Sequence, residues 1–392
     1  MLDNIKILVA PSNFKQSITA KFATEIITKE VKKLLPQAIV WEIPLADGGE
    51  GTVATLLEAI GGKNFSYLVS DPLGRKVLAN YGIFVDETTA VVEMAASTGL
   101  TLLAENERNP MLASSYGFGE LVNQAIENKK INKIILGLGD TATVDGGIGM
   151  LQALGVRIWN NQGKDIEQGG QFLSQIAGLD ASLAKEKLAG IEICIASDVE
   201  NPLLGEMGAA KVFGPQKGAT KEMVLEMEKG LEHWAEVLSN ATGLNKEFIS
   251  KIAGGGAAGG VAVGLIALFG AKIVSGSKLV IDAHKLNEKV SQADLIFTGE
   301  GAIDSQTLQG KMPAQLAEMA KKAGVPLIAF TGHLAIDEEI LQQKGFYMVV
   351  PIVDRVLNLS EAYLQAPNLL ALATRRTLQA MLLGGKHKKK LL

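Results

Sequence analysis

The stretch from Ile5 to Ile43 decides the fold and reads IKILVAPSNFKQSITAKFATEIITKEVKKLLPQAIVWEI. Its first six residues form a short apolar run of the kind that makes a buried strand. Thr19 is a favourable N-cap, and the apolar residues after it recur at helical spacing until Pro36 ends the pattern. A second apolar run at residues 39–43 completes a strand–helix–strand unit, which predicts a parallel, doubly wound sheet of the Rossmann-like kind.

The pattern changes after residue 65 and returns near residue 290. Three strand-like segments follow one another with only turn sequences between them, which predicts antiparallel pairing: Tyr67–Ser70, Lys76–Phe84 and Ala90–Met94. Three buried-strand candidates with helical stretches between them then resume the first pattern: Ala293–Thr298, Pro326–Thr331 and Phe346–Val350. We therefore predict an α/β protein of two domains. Residues 1–65 and 289–392 form the parallel-sheet domain, and residues 66–288 form an inserted domain with a mixed sheet.

Composition excludes several classes of protein. A length of 392 residues makes two domains the default expectation, and a net charge of −4 argues against a nucleic-acid binder. The single cysteine, Cys194, fits a reducing compartment, and the N-terminus lacks the features of a signal peptide. Ile252–Gly270 is apolar but rich in glycine, so we interpret it as a buried loop entering a core helix. We predict a cytoplasmic protein with no membrane partner, and leave self-association into a homo-oligomer open.

Three loops that follow predicted strands carry charged residues among glycines. They are Pro11–Ser17, Ala46–Gly51 and Gly299–Asp304. Because the carboxyl ends of parallel strands share one edge of a sheet, their charged side chains are expected to converge: Lys15, Asp47, Glu50, Glu300 and Asp304. Glycines between the charges let backbone N–H groups approach an anion. The sequence therefore predicts an anion site at this edge.

The predicted inserted domain has glycine clusters of its own. One cluster, Gly137–Gly147, follows the apolar run at residues 133–136, and another, Phe213–Thr220, contains Lys217. The N–H groups of Gly255 and Gly256, at the start of a predicted helix, suit a phosphate, although tight packing of that helix against a sheet is an equal alternative.

The absence of several known motifs excludes some classes of enzyme. Gly310-Lys311 has Ser305 where a P-loop requires glycine, and Met312 follows where the P-loop requires Ser or Thr. No Gly-x-Ser-x-Gly elbow occurs, and the histidines lack metal-ligand spacing. Gly137-x-Gly-x-x-Ala142 matches a relaxed dinucleotide fingerprint, which keeps a nicotinamide-dependent oxidoreductase as the alternative. A non-catalytic regulator that binds a sugar acid is a third class.

Several blocks of the chain, in order from residue 6 to about residue 332, resemble the bacterial glycerate kinase family. They are Ala10–Ser17, Leu45–Thr52, Asp71–Arg75, Asn201–Leu203, Phe213–Thr220, Thr298–Gly301, Asp304, Gln306-Thr307 and Gly310-Lys311. The chain departs from the family pattern at Ser12, where the family has aspartate, at Val144, where a polar side chain is usual, and at Ser197, where cysteine is usual. The resemblance implies transfer of a phosphoryl group from ATP to glycerate with Mg²⁺, D-glycerate at its 2-hydroxyl being the expected acceptor. It also implies two α/β domains with the active site in the cleft between them.

The resemblance and the chemistry together suggest residue roles. Asp47 is expected to orient or deprotonate the acceptor hydroxyl, with Asp198 as the alternative. Glu300 and Asp304 are expected to bind Mg²⁺, and Asp198 is an alternative ligand for the ion. Lys15, Lys217 and Lys311 are expected to neutralise phosphate charge, and Arg75 to hold the glycerate carboxylate as a bidentate fork. Further predicted contacts are Ser17 and Asp145 to substrate, and Gly255, Gly256, Gly299 and Gly301 to nucleotide. The competing interpretations are a helix cap for Asp47 and a surface residue beside a turn for Arg75.

Overall fold

The computed structural model describes residues 4–14, 17–305 and 307–387. Its strands are, in chain order, β1 (Lys6–Val9), β2 (Ile39–Glu42), β3 (Gly62–Ser70), β4 (Lys76–Phe84), β5 (Thr89–Glu93), β6 (Lys133–Gly137), β7 (Arg157–Asn160), β8 (Ile176–Asp180), β9 (Glu192–Ala196), β10 (Lys272–Val274), β11 (Leu295–Ile303), β12 (Leu327–Leu334) and β13 (Met348–Pro351).

The α-helices are, in chain order, α1 (Ala20–Leu34), α2 (Thr52–Ile60), α3 (Ala95–Thr98), α4 (Tyr116–Ile126), α5 (Ile148–Leu154), α6 (Ser182–Lys187), α7 (Ala209–Phe213), α8 (Lys221–Thr242), α9 (Lys246–Lys251), α10 (Val261–Phe269), α11 (Gly276–Ala283), α12 (Leu286–Gln292), α13 (Met312–Ala323), α14 (Glu338–Gln343) and α15 (Leu359–His387). No helix in the described part of the chain is long and apolar enough to cross a membrane.

The chain divides into two compact units, which we call unit 1 and unit 2. Unit 1 consists of Met1–Ala46 and Val280–Leu392, and unit 2 consists of Asp47–Leu279. The sequence prediction instead divided the chain after residues 65 and 288. The difference arises because α2 packs against β3, β4 and β5, so that the residues from 47 onward belong with unit 2.

Unit 1 contains the predicted parallel sheet, and this prediction is confirmed. Among the described residues the strand order is β13-β12-β11-β1-β2, and all the pairings are parallel. The order reverses direction between β1 and β11, and in such sheets the crevice beyond the carboxyl ends at this point is the usual ligand site. Helices α1 and α15 pack together over the core of this unit, which includes Phe14, Phe297 and Phe330.

One loop of the prediction is a strand in the structure. The sequence placed residues 299–304 in a loop, but β11 continues to Ile303 and pairs with β12 through Ile303↔Leu334. The glycines at 299 and 301 suggested a turn, yet the ladder of backbone hydrogen bonds to β12 outweighs their low strand propensity.

Unit 2 is built on the predicted mixed sheet, with strand order β10-β9-β6-β5-β4-β3 in the described residues. Strands β5, β6, β9 and β10 are parallel, whereas β4 runs antiparallel to both β5 and β3. The antiparallel prediction for residues 67–94 is therefore confirmed. Strands β7 and β8 form a separate two-stranded ribbon. The carboxyl ends of β5, β6 and β9 lie along one edge, and the acidic residues of this unit collect there.

Local sequence signals explain where several elements begin. The Thr19 hydroxyl accepts a hydrogen bond from the Phe22 N–H at 3.3 Å and caps α1, as its position predicted. In the apolar stretch 252–270, the first half forms turns through Gly254, Gly259 and Gly260, all with positive φ, and α10 begins only afterwards. The expected glycine-rich loop entering a buried helix is thus confirmed.

Candidate active site

The loop Asp47–Gly51, which we call the acidic loop, lies against the carboxyl ends of β6 and β9. A Cβ at Gly48 would lie 2.3 Å from the Ala196 carbonyl oxygen, and a Cβ at Gly139 would lie 2.4 Å from Gly49 Cα. The Gly139 N–H donates to the Gly48 carbonyl at 3.0 Å. Only glycine permits contacts this close, so the backbone of the acidic loop has little freedom.

This packing also explains the apparent dinucleotide fingerprint. A Cβ at Gly137 would lie 2.6 Å from the Gly48 carbonyl oxygen, so both fingerprint glycines, Gly137 and Gly139, face the acidic loop. The fingerprint requires a helix to begin directly after these glycines, but α5 begins only at Ile148. The structure thus accounts for the glycines without a dinucleotide.

Two carboxylates hold the acidic loop at the start of α2. Glu93, the last residue of β5, accepts hydrogen bonds from the Gly51 N–H at 3.3 Å and the Val53 N–H at 2.9 Å. Asp140 accepts one from the Glu50 N–H at 3.2 Å. The N–H groups at a helix start have no partner within the helix, so Glu93 caps α2, whereas Asp140 holds the residue before its N-cap, Gly51. Neither residue was a candidate in the sequence analysis.

Burial dominates the electrostatics of Glu93. It raises the pKa of Glu93 from 4.5 to about 7, the two N–H bonds oppose this rise, and the nearby Glu50 and Asp140 add to it. The edge therefore concentrates negative charge, and a neutral Glu93 is accessible near neutral pH.

The structure brings the two predicted base candidates close together. The Asp198 carboxylate, which follows β9, accepts a hydrogen bond from the Ser277 N–H at 2.9 Å. The preceding residue, Gly276, lies against Asp47, since a Cβ there would lie 2.3 Å from the Asp47 carbonyl oxygen. Asp47 and Asp198 are both exposed, whereas Gly48 is buried. The acidic loop thus presents accessible carboxylates on a closely packed backbone.

Lys217 is the buried cation beside this edge. Its side chain is 3% exposed, and its Nζ donates to the Thr141 hydroxyl at 3.1 Å and to the Thr143 carbonyl at 2.7 Å. Burial lowers the pKa of Lys217 to about 7, while Asp145 and Asp140 act to raise it. The predicted cation therefore lies near Asp140 and can exchange a proton near neutral pH.

Asp145 lies in the interior of unit 2. It accepts hydrogen bonds from the N–H and hydroxyl of Ser115, at 2.8 and 2.7 Å, and from the Gly147 N–H at 3.0 Å. Burial raises the pKa of Asp145, and these hydrogen bonds oppose the rise. Because Ser115 and Gly147 precede α4 and α5, this carboxylate joins the starts of two helices. Its contacts are those of a structural residue, in contrast to the predicted substrate contact.

Arg75 is paired with two carboxylates. Its Nε lies 2.5 Å from Asp71 and its Nη1 lies 2.7 Å from Glu107. Asp71 also accepts from the Leu73 and Arg75 N–H groups, so the pair closes a turn. The arrangement matches the competing interpretation, a surface residue beside a turn, since the guanidinium charge is already compensated.

The N–H groups of Gly255 and Gly256 are also engaged. They donate to the Ile252 and Asn201 carbonyls, each at 2.9 Å, and a Cβ at Gly256 would lie 2.4 Å from the Pro202 carbonyl oxygen. These contacts agree with the alternative interpretation of this segment, in which its glycines serve close packing and not phosphate binding.

Unit 1 brings two of the predicted segments together at the switch between β1 and β11. The Ser12 N–H donates to the Gly299 carbonyl at 2.8 Å, and a Cβ at Gly299 would lie 3.0 Å from the Phe14 ring. The Ser17 hydroxyl donates to the Phe14 carbonyl at 2.9 Å. Lys15, the predicted cation of this segment, lies outside the described residues.

The remaining predicted residues of unit 1 follow one another along β11 and into α13. Glu300 is 7% exposed within β11, whereas Gly301 is half-buried. Asp304 accepts a hydrogen bond from the Thr307 N–H at 3.2 Å, and Lys311 is the residue before α13. Glu300 therefore lies within β11, Asp304 directly follows this strand, and Lys311 lies at the start of α13.

Comparison with known proteins decides the family. Residues 7–382 match the glycerate kinase family. The chain belongs to the glycerate kinase family. Its members are kinases, that is, phosphotransferases with an alcohol group as acceptor, and the resemblance seen in the sequence is confirmed.

Individual relatives cover nearly the whole chain. A glycerate kinase from Halalkalibacterium halodurans is 42% identical over 94% of this chain and 96% of its own length. A glycerate 2-kinase from Escherichia coli strain K12 is 39% identical over 98% of this chain and 100% of its own length. A solved structure from Salmonella typhimurium LT2, assigned to glycerate kinase 2, has a TM-score of 0.76 and 38% identity, and covers 98% of this chain and 100% of its own.

In this member of the glycerate kinase family, the sequence did not reveal that Glu93, Asp140 and Thr141 belong to the candidate site. The sequence signal for Glu93 was an acidic residue in a predicted strand, but only the structure shows that this strand is parallel to β6 and so reaches the same edge as the acidic loop. Asp140 and Thr141 belong to the cluster Gly137–Gly147, in which the sequence predicted a site role for Asp145 but not for these two residues. Asp140 has a φ of 55°, a left-handed conformation that is uncommon outside glycine and is often found at functional sites.

Proposed function

We propose that this protein is an ATP-dependent kinase that phosphorylates D-glycerate at the 2-hydroxyl to give 2-phosphoglycerate. The observation that carries the proposal is the similarity over the full length of a glycerate 2-kinase. The arrangement of acids and a buried lysine in unit 2 supports it. An enzyme that uses ATP and a small acid in this way is expected in the cytoplasm.

Asp47 is the proposed base for the acceptor hydroxyl. Phosphoryl transfer needs positioning and charge neutralisation more than covalent chemistry, and a carboxylate that orients the attacking hydroxyl meets the first need. Asp47 is exposed, and its loop is held by glycine contacts and by hydrogen bonds to the carboxylates of Glu93 and Asp140. The backbone that carries Asp47 is therefore already ordered before the substrate binds. Asp198, next to it, is the alternative.

Cations neutralise the charge of substrate and nucleotide in this proposal. Lys217 supplies a positive charge in unit 2, and Lys311, with Lys15, is assigned to the phosphates in unit 1. Gly299 and Gly301 keep their proposed backbone contacts to nucleotide, whereas nucleotide contacts at Gly255 and Gly256 would first require their N–H groups to be released.

Glu300 and Asp304 fit a magnesium ion by the chemistry of their donors. In the described part of the chain, no three or more acidic, histidine or cysteine side chains are grouped to hold an ion. Mg²⁺ bound with a nucleotide needs only one or two carboxylates, the other ligands being phosphate oxygens and water. Glu300 and Asp304 would supply these two carboxylates, and the bound ion would neutralise phosphate charge.

A coupled assay of ADP release with Mg·ATP and D-glycerate tests the proposal, followed by phosphorus NMR of the product. We expect glycerate-dependent turnover and a 2-phospho signal. A 3-phospho signal would keep the kinase and change the hydroxyl, whereas no turnover by folded protein would contradict the proposal. The oxidoreductase alternative predicts a change in NADH fluorescence on addition of protein, and the kinase predicts none.

A further inference from the structure

Arg108 has a buried donor without an acceptor. The Nε of this half-buried side chain is shielded from solvent and makes no hydrogen bond. Within the residues that the structure describes, its guanidinium forms no ion pair with a carboxylate. A buried donor is almost always paired in folded proteins, so this exception calls for a ligand or another explanation.

The fold places the backbone of Arg108 beside Gly218, the residue after Lys217. Gly218 has a φ of 94°, and a Cβ there would lie 2.3 Å from the Arg108 carbonyl oxygen and 3.0 Å from Arg108 Cβ. A Cβ at Gly170 would lie 2.5 Å from the Val144 carbonyl oxygen and 3.2 Å from that of Pro110. The backbone around Arg108 therefore contacts the turn that carries Lys217, and it runs beside the segment Thr141–Val144 that accepts the Lys217 hydrogen bonds.

The neighbouring acids already have partners. Glu107 is paired with Arg75 at 2.7 Å and accepts from the Ala104 N–H at 3.0 Å. Asp145 accepts from Ser115 and Gly147. Thr143 adds a hydroxyl, Oγ1, that is buried and makes no hydrogen bond. Arg108 and Lys217 thus belong to backbone segments in contact, the Lys217 Nζ reaches the Thr143 carbonyl, and these acids are held by other groups.

We infer that Arg108, together with Lys217 and Thr143, forms the subsite for the acceptor's carboxylate, the role that sequence alone suggested for Arg75. This inference rests on the proposed function. In a 2-hydroxy acid the carboxylate carbon is bonded to the carbon that carries the hydroxyl, so the two recognition groups must be close. Lys217 lies near Asp140, whose charge acts on its pKa. The carboxylates of Asp140 and of Asp47, the proposed base, both lie beside Gly49, so Lys217 is close to the group that would bind the hydroxyl. The planar guanidinium offers a bidentate fork that matches a carboxylate.

The test compares a charged acceptor with a neutral one. Steady-state kinetics of Arg108→Met and Arg108→Lys are measured with D-glycerate and with D-glyceramide, its uncharged amide. For Arg108→Met we expect kcat/KM for D-glycerate to fall about 10²-fold, the loss typical of removing one partner of a desolvated charge pair. We expect less than about a threefold change for D-glyceramide and no change in KM for ATP. Arg108→Lys should recover only part of the loss, because an ammonium cannot form the fork.

Two controls separate binding from folding. Arg157→Met removes a surface arginine paired with Asp165 at 2.9 Å and should leave both substrates unaffected. Because the Arg108 Nε makes no hydrogen bond, Arg108→Met should not lower the melting temperature, whereas the loss of a structural arginine would. An equal loss for both acceptors, or an effect confined to KM for ATP, would overturn the inference.

Direct binding distinguishes this inference from the proposed function. Isothermal titration calorimetry of D-glycerate without ATP should show binding to the wild type that weakens about 10²-fold in Arg108→Met. If this binding is present without turnover, the proposed kinase activity fails and the subsite stands. If the wild type and the variant bind D-glycerate equally, or neither binds it, the subsite is wrong.

Discussion

The Oε2 atom of Glu93 accepts a hydrogen bond from the Val53 N–H at 2.9 Å and joins the end of β5 to the first turn of α2. Its Oε1 atom accepts from the Gly51 N–H at 3.3 Å, at the end of the acidic loop. One buried carboxylate therefore supports both the helix and the loop that presents Asp47. Its protonation state should influence stability.

Replacement of Glu93 by glutamine should change how stability depends on pH. The pKa of Glu93 is about 7 in the folded protein against an ordinary value of 4.5, so folding takes up a proton between these values. This group thus makes the wild type less stable as the pH rises from 5 to 8, by up to about 3 kcal/mol. Glu93→Gln should lack this pH-dependent contribution to the free energy of unfolding. Urea unfolding of both proteins at pH 5 and pH 8 measures it, and identical pH dependence would contradict the assignment.

Replacement of Asp47 by asparagine should lower kcat by about 10²–10⁴-fold, the usual contribution of a general base. Asp47 is exposed, so the melting temperature should stay close to that of the wild type. Asp198→Asn is the matched comparison, because Asp198 is also exposed and lies near the same contact with Gly276–Ser277. A fall in kcat of less than tenfold for Asp47→Asn, with a larger fall for Asp198→Asn, would transfer the role to Asp198.

Replacement of Gly48 by alanine should displace the acidic loop. Gly48 has a φ of 99°, and the new Cβ would lie 2.3 Å from the Ala196 carbonyl oxygen. Gly205→Ala is the matched control, since Gly205 has a φ of 98° and no atom within 4 Å of its Cβ position. Both variants bear a left-handed alanine, at a cost of about 1 kcal/mol, and Gly48→Ala should lose a further 1–3 kcal/mol or so through overcrowding.

Urea unfolding and kcat/KM of the two glycine variants measure this difference. We expect a clear loss of activity for Gly48→Ala alone, because the loop carries Asp47. Equal stability and equal activity of the two variants would show that the loop accommodates a methyl group.

Removal of the Arg375 side chain should destabilise unit 1. Glu30 on α1 is 3% exposed and accepts from the Arg375 Nε of α15 at 2.8 Å, with Lys33 as a second partner. Arg375 lowers the pKa of Glu30 most, so the pair stabilises the protein above the ordinary glutamate pKa and loses this effect as the pH falls. Arg375→Met should cost about 2–3 kcal/mol at pH 7, because a buried carboxylate loses its main partner.

The double variant Glu30→Gln/Arg375→Met supplies the control for this prediction. It leaves no buried charge, so it should be less destabilised than Arg375→Met alone when the free energy of unfolding is measured in urea. A double variant that shows the sum of the two single effects would mean that the pair does not interact.

Much of the fold followed from local patterns. The strand at residues 5–10, the Thr19 cap and the antiparallel strands after residue 65 are all present in the structure. The extension of β11 through Gly299 was missed, because glycine weakens a strand locally while its partner β12 is distant in sequence. The place of α2 in unit 2 was missed for a similar reason, since its packing partners determine it.

The site was less predictable than the fold. Asp47 and Asp198 were named from motifs, and the structure does place them beside the same contact at Gly276–Ser277. The sequence could not show that Arg75 is compensated by Asp71 and Glu107, or that Asp145 is enclosed by helix starts. Charge and residue type are visible in a sequence, but the partner that satisfies each charge is not.

The sequence by itself determined the alternation of strands and helices, the helix caps and the family, because periodicity, capping and ordered motifs are properties of neighbouring residues. Only the tertiary structure decided which carboxylates cap a helix, which cations are paired with carboxylates and which buried donors have no hydrogen-bond partner. Glu93 and Val53 are 40 residues apart, and Lys217 and Thr143 are 74 apart. The strength of an interaction between charges or hydrogen-bonding groups depends on distance and burial in space, and both arise only when distant segments pack together.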